Sequence, residues 1–180
     1  MGGYLETSTP YINQKLFINQ WKEFRIGDYF KVIRGKRIVK NVDYVEKKDE
    51  EYRFPVVTAS STNNSISGYY HSFNCAANSI VSCGEVSGFF STYQEEKCWV
   101  LDTNRIFIPK KEKGFELNKY SALFLITILK KEMFKFSYGR KARPHHIVNT
   151  IIKLPSASDG TPNWEYMETF VKKLQFSDLI

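Results

Sequence analysis

Cysteine is scarce in this 180-residue chain, which has three: Cys75, Cys83 and Cys98. The count is odd and no CxxC spacing occurs. That argues against a disulfide framework and against a structural zinc site. Three reduced thiols in a cytoplasmic protein are the expectation. Long apolar runs are missing too, since no segment approaches the ~20 residues that a membrane helix needs. The opening MGGYLETSTPYINQ has no basic start and no apolar stretch, so a secretory signal is not expected. His71, His145 and His146 lie in no HExxH pattern and have no carboxylate at ligand spacing, so no metal ligand is assigned. The glycines Gly84 and Gly88 do not make a dinucleotide-binding GxGxxG, and no Lys-Ser/Thr follows them as a phosphate-binding P-loop requires. Cys83 could serve as a nucleophile only with His145 or His146 beside it as base, and nothing in the sequence brings them together. Neither a PD…ExK nuclease spacing nor the Asn/Asp-Pro-Pro-Tyr/Phe signature of amino-methyltransferases is found. No catalytic residue and no cofactor are assigned, and the chain reads as a binder.

What is present points the same way. Hydrophobic residues make up 42% and aromatic ones 16%, which excludes intrinsic disorder. A chain of this length buries roughly 70% of its unfolded surface, enough for a core without staples. The net charge is +7, which implies an acidic partner, a weak preference for nucleic acid, or mere solubility. The charge is also sorted. Lys31, Arg34, Lys36, Arg37 and Lys40 come without an acid, whereas Asp43, Glu46, Asp49, Glu50 and Glu51 follow as a group. The basic part is expected to form a patch with the acidic part facing elsewhere.

Taken along the chain, residues 1–20 read as an N-terminal lead-in, 21–160 as the main domain and 161–180 as a C-terminal helical piece. Alternation predicts a strand from Asp28 to Arg34, with Tyr29, Lys31 and Ile33 on one face and Phe30 and Val32 on the other. Residues 40–52 read as a loop, and Phe54–Thr58 as a short buried strand. The stretch 59–70 is rich in Ser, Thr and Asn, which bond to nearby backbone and favour turns. Further β segments are expected at 76–82 and 89–93. Runs at 98–101 and 105–108, joined by Asp102-Thr103-Asn104, predict a hairpin. The spacing of Tyr120, Phe124 and Ile128, and of Leu125, Leu129 and Met133, predicts a helix over 118–135 with Asn118 as N-cap. Leu123, Ile126 and Phe134 extend its apolar surface, so burial on most sides is expected. A short helix over about 163–175 closes the chain, with Pro162 at its first position and Trp164, Met167, Phe170 or Val171, and Leu174 as its stripe. The fold class is α+β: a single mixed α/β domain with a twisted, mainly antiparallel sheet, one buried helix and a short terminal one.

The stretch 136–155 organises this reading. An aromatic lead-in ends at Gly139, a basic run follows with Arg140, Lys141, Arg143, His145 and His146, and Val148, Ile151, Ile152 and Leu154 return to apolar surroundings. Pro144 keeps Arg143 out of helical angles, so a shaped loop between anchored elements is expected. Adjacent His145 and His146 would face opposite ways in an extended segment. Charge held in fixed geometry is what contact with a polyanion needs.

Several blocks in order then resemble a known family, the target recognition domain of type I restriction–modification specificity subunits and of related fused restriction–methylation enzymes. These blocks are Trp21, Phe24 and Ile26-Gly27-Asp28-Tyr29-Phe30 with Gly35-Lys36; Phe54-Pro55-Val56-Val57-Thr58-Ala59-Ser60 with Asn63-Asn64 and Gly68-Tyr69; Asn78-Ser79-Ile80-Val81-Ser82 with Gly84 and Gly88-Phe89-Phe90; and the helix near 119–135 with Gly139-Arg140-Lys141 and Ile151-Ile152-Lys153-Leu154-Pro155. The resemblance covers about 21–174. It implies a non-catalytic domain that reads half of a bipartite double-stranded DNA target. The implied partners are a methyltransferase (modification) subunit and, with it, a nuclease/translocase subunit. A homodimer is left open, and no membrane is involved. Full family members carry two such domains separated by long paired helices, and this chain carries one. On the residues themselves, the 34–40 turn, the 60–65 loop and the 140–146 loop are expected to converge on DNA. Arg34, Lys36, Lys40 and Lys141 suit phosphates, and Asn63, Asn64, Arg140, Arg143 and His146 suit base edges. Arg37, Ser60, Ser61, Thr62 and His145 are further expected DNA contacts. The competing reading is a protein-interaction module, such as a phage or host factor, that engages restriction subunits without reading DNA.

Overall fold

The computed structural model describes residues 18–85, 89–137 and 139–174. The lead-in expected over 1–20 lies mostly outside the described residues, as do the end of the helix expected to 175 and part of the two-glycine turn after Cys83. In chain order the elements are β1 (Lys22–Arg25), the single helical turn α1 (Ile26–Tyr29), β2 (Phe30–Arg34), β3 (Phe54–Val57), β4 (Ile66–Tyr70), β5 (Ser79–Cys83), β6 (Ser91–Gln94), β7 (Trp99–Val100), β8 (Asn104–Pro109), α2 (Lys119–Lys131), α3 (Pro144–Val148), β9 (Ile151–Leu154) and α4 (Trp164–Lys172).

All of β5 is buried, the mark of a strand with a layer on each face. Its neighbours complete a four-stranded antiparallel sheet in the order β2-β8-β5-β6. The register aligns Val32, Phe107 and Ile80 in one row and Ile33, Ile106 and Val81 in the next. Side chains alternate between faces along a strand, so the two rows point opposite ways. The first row enters a large core with α2, α4, β1 and β9. The second enters a smaller core with Val57, Cys75, Cys98 and Val100. That smaller core lies under a three-stranded sheet ordered β4-β3-β7, in which β3 and β7 run parallel. A two-stranded antiparallel pair, β1 with β9, completes the strands. The fold is thus mixed α/β with mainly antiparallel pairing, and the strands among the described residues divide over three sheets.

Helix α2 starts where its chemistry dictates. The Asn118 side chain accepts from the backbone N–H groups of Tyr120 and Ser121, and the Ser121 hydroxyl accepts from the Asn118 N–H. That reciprocal arrangement is a capping box. Ala122, Phe124, Leu125, Ile128 and Leu129 are buried on one side, facing Met167 and Val171 of α4 and the sheet. The helix is not enclosed on most sides as expected. Leu123 and Ile126 are half-buried, and Phe134, in a 3-10 turn beyond the helix, is 79% exposed. Leu123 and Ile126 instead line an open cavity with Trp21, Phe170 and Leu174.

Other expectations change for local reasons. The strand predicted from Asp28 begins at Phe30, because Ile26–Tyr29 closes one helical turn first. The polar stretch 59–70 ends in strand β4, with only its first half a loop. The runs at 99–100 and 104–109 do not form a hairpin, since β7 pairs with β3 and β8 with β2 and β5. Pro162 precedes the helix instead of opening it, and Asn163 is the N-cap, accepting from the Tyr166 N–H. Pro144 does open a helix, α3, within the run expected to be a loop, since a proline costs nothing at a first helical position whose N–H would be unpaired anyway.

Asn118 also donates to Glu168 of α4 at 2.6 Å. Asn118→Ala should therefore lower stability by about 1–2 kcal/mol. The measurement is urea unfolding, with a lower midpoint and an unchanged slope expected; an unmoved midpoint would refute the capping account.

Candidate nucleic-acid interface

The short crossing between β7 and β8 gathers the basic segments. The Lys36 N–H donates to the Val100 carbonyl at 2.9 Å, and the Gly35 N–H donates to the Asn104 carbonyl at 3.2 Å. The Trp99 indole N–H donates to the Lys36 carbonyl at 3.1 Å. Gly35 is required here, because a Cβ at that position would lie 2.3 Å from the carbonyl oxygens of Val100 and Leu101. The Leu101 N–H donates to Val57, and the Asn104 side-chain amide donates to the Thr58 carbonyl at 2.8 Å. These bonds anchor the root of the 60–65 loop beside the root of the 34–40 turn.

Arg105 ties in the third segment. It is 4% exposed, and its Nε donates to the Ala142 carbonyl at 3.0 Å. Its Nη1 donates to the carbonyls of Asp102 and Asn104 at 3.0 and 2.9 Å. Gly84 leaves room for the guanidinium, since a Cβ there would lie 2.4 Å from Arg105 Cζ. Burial pushes the Arg105 pKa down, and Arg34 adds to that shift, while Glu85, Cys83 and Asp102 oppose it. A buried charge held by three carbonyls fixes the 140–143 backbone against the end of the sheet.

A cavity of about 440 Å³ opens there, lined by Arg34, Glu85, Arg105, Lys141, Arg143, Pro144 and His145. Arg34 donates from Nε to the Asp102 carbonyl at 2.7 Å and pairs through Nη2 with the Asp102 carboxylate at 3.0 Å. Lys141 pairs with Glu85 at 2.9 Å. Exposed pairs of this kind contribute about 0–1 kcal/mol, so they orient the cations without locking them.

Of the residues expected to meet DNA, Arg34, Lys141, Arg143 and His145 therefore share one cavity, and Lys36 is rooted beside it. The others do not line it. Lys40 pairs with Glu46 at 2.7 Å, which corrects the expected separation of basic and acidic segments. The Val39 N–H bonds Asp43 and Val45 pairs with Tyr69, so this stretch folds back on itself. Arg37 is exposed on the same excursion. Ser60, Ser61, Thr62, Asn63 and Asn64 run from Thr58 toward the edge of β6. Asn63 donates to the Ile66 carbonyl, and Asn64 to the Tyr93 carbonyl at 2.8 Å. Both amide N–H groups thus brace the loop. Asn63, Asn64 and Ser65 all have positive φ, at 49°, 48° and 66°, a region that asparagine tolerates through such local bonds. Arg140 is exposed in a tight turn closed by bonds between Ser137 and Arg140. His146 is half-buried, its Nδ1 within 2.8 Å of the Lys141 carbonyl. Because 144–148 is helical, the His145 and His146 rings do not face opposite ways; their centroids lie 4.1 Å apart.

Sequence reading missed Arg105, Glu85 and Asp102. The available signal was Arg105 itself, a cation heading the buried run Ile106-Phe107, which needs partners. Arg105→Met should cost about 1–3 kcal/mol through its orphaned carbonyls. It should also speed amide hydrogen exchange at 140–143 while β5 stays protected; unchanged exchange there would remove Arg105 as the clamp.

Over residues 18–178 the sequence matches the type I restriction modification DNA specificity domain. The chain is 26% identical over 160 residues to the type II restriction enzyme specificity subunit S.BcgI of Heyndrickxia coagulans, covering 86% of this chain and 43% of that protein. It resembles in fold the type I restriction–modification S subunit of M. genitalium, with TM-score 0.58 and 15% identity over 88% of this chain and 40% of that one. It also resembles the HsdS subunit of Thermoanaerobacter tengcongensis, with TM-score 0.55 and 13% identity over 89% of this chain and 38% of that one. The chain spans less than half the length of each of these relatives. With the domain match covering most of its length, this chain belongs to the type I restriction–modification DNA specificity domain family.

Proposed function

We propose that this domain recognises a specific sequence in double-stranded DNA, reading half of a bipartite target for a restriction–modification system. It does no chemistry of its own. It positions a methyltransferase subunit on the target and, through that complex, a nuclease/translocase subunit. Pairing with a second copy is one way to assemble both halves. The observation that carries this reading is the cationic cavity of Arg34, Arg105, Lys141, Arg143 and His145, at a sheet end where three loop roots meet. Family membership supplies the chemical class of the ligand. Arg34, Lys36, Arg37, Lys40 and Lys141 are assigned to phosphates. Arg140, Arg143, His145, His146 and the 60–64 side chains are assigned to the groove. No helix among the described residues is long and apolar enough to cross a membrane.

The deciding experiment is selection from a random duplex library by the full chain, with and without a cognate methyltransferase. One enriched motif is expected. Enrichment of no motif in the presence of the partner would end the proposal. Within that assay Lys36→Ala should weaken all sequences alike and flatten the salt dependence by about 1. Arg143→Ala should cost roughly 1–3 kcal/mol of discrimination at one base pair, as expected for a bidentate contact to guanine. Unchanged affinity and preference would strike Arg143 from the interface.

A further inference from the structure

We propose that Glu85 occupies a phosphate site of this domain, its carboxylate holding Lys141 until a duplex phosphate displaces it, so that non-specific DNA is disfavoured. The proposal rests on the DNA-recognition reading above. Among the described residues that line the cavity, Glu85 is the one acidic side chain beside four cations and His145. It pairs inside the cavity with Lys141 at 2.9 Å, whereas Arg34 has its carboxylate partner in Asp102, which does not line the cavity. The Lys141 and Glu85 side chains are 37% and 30% exposed, so the pair is open to exchange with an incoming anion. Arg105 pins the buried Ala142 immediately after Lys141, so the ammonium stays at the cavity when the carboxylate leaves.

Carboxylate and phosphate both present paired terminal oxygens to an ammonium at similar distance and charge. Replacing one by the other conserves the contact at Lys141 and releases Glu85 to water. Duplex binding gains from releasing small ions that surround its phosphates and their partners. With Glu85 as the standing counterion, Lys141 contributes little to that gain.

The test compares wild type, Glu85→Gln, Lys141→Ala and the double variant, using the full chain, a mixed-sequence duplex over a salt series, and inorganic phosphate followed by thermal shift. Glu85→Gln should steepen the salt dependence by about 1 and raise mixed-sequence affinity roughly eightfold at ~0.1 M salt. It should also lower the half-saturating phosphate concentration. All three effects should vanish in the double variant. If Lys36→Ala flattens the salt slope while Glu85→Gln leaves it unchanged, DNA binding stands and the Glu85 proposal falls. If Glu85→Gln alters preference at one base pair without changing the slope, Glu85 reads a base and the proposal falls. If no variant binds duplex even with a cognate methyltransferase present, the DNA reading fails and the Glu85 proposal falls with it; equal half-saturation by phosphate in wild type and Glu85→Gln overturns the Glu85 proposal alone.

Discussion

Arg105, the second residue of β8 after the buried Asn104, is 4% exposed, with its guanidinium joined to carbonyls from Ala142, Asp102 and Asn104. A charge in that position is tolerable because its Nε and Nη1 donors meet three backbone oxygens. The arrangement has a directional effect. Ala142 belongs to a segment far away in the chain, and Asp102 belongs to the crossing that also receives Arg34. One side chain thus couples the end of the four-stranded sheet to two basic surfaces. Remove it, and the 140–143 backbone loses its bond to the sheet while the β-layers keep theirs.

The sheet beneath can carry this arrangement because it is packed on both faces. Ile80 and Phe107 enter the core with α2 and α4, while Val81 and Ile106 enter the core under β3 and β7. A strand buried on both sides does not rock against one layer. The loops at its end are therefore mounted on a sheet packed on both faces, which suits recognition that depends on small positional tolerances. The outer surface of α2, with Leu123, Ile126 and Thr127, lines a separate cavity of about 650 Å³ that Ile18 and Leu174 also line and that shares no residue with the basic one.

Local chemistry made the two longer helices, α2 and α4, and most strands legible from sequence. Asn118 with Ser121 marked the start of α2, and the four-residue spacing of Phe124 and Ile128 marked its buried side. The alternation of Phe30 and Val32 found the inward face of β2. What stayed hidden depends on distant partners. Asp102-Thr103-Asn104 carries ordinary hairpin residues, yet β7 is claimed by β3 and β8 by β2 and β5. Pro144 is compatible with a loop and with a helix start, and the burial of Ile147 selects the latter. For the site, charge patterning found Arg34, Lys141 and Arg143. It passed over Arg105 because that residue sits in an apolar run, and over Glu85 because an isolated acid carries no pattern. It also treated 60–64 as uniformly available, whereas two of those amides brace the loop.

The consecutive left-handed residues Asn63, Asn64 and Ser65 bear on how such a domain could be retargeted. A branched or bulky side chain at any of the three meets backbone angles it disfavours. Diversification at 63–65 would therefore return mostly misfolded loops. Ser61 and Thr62, together with Arg140 and Arg143, are exposed and carry no such angle. A library confined to those four sites samples new surface chemistry on an intact frame.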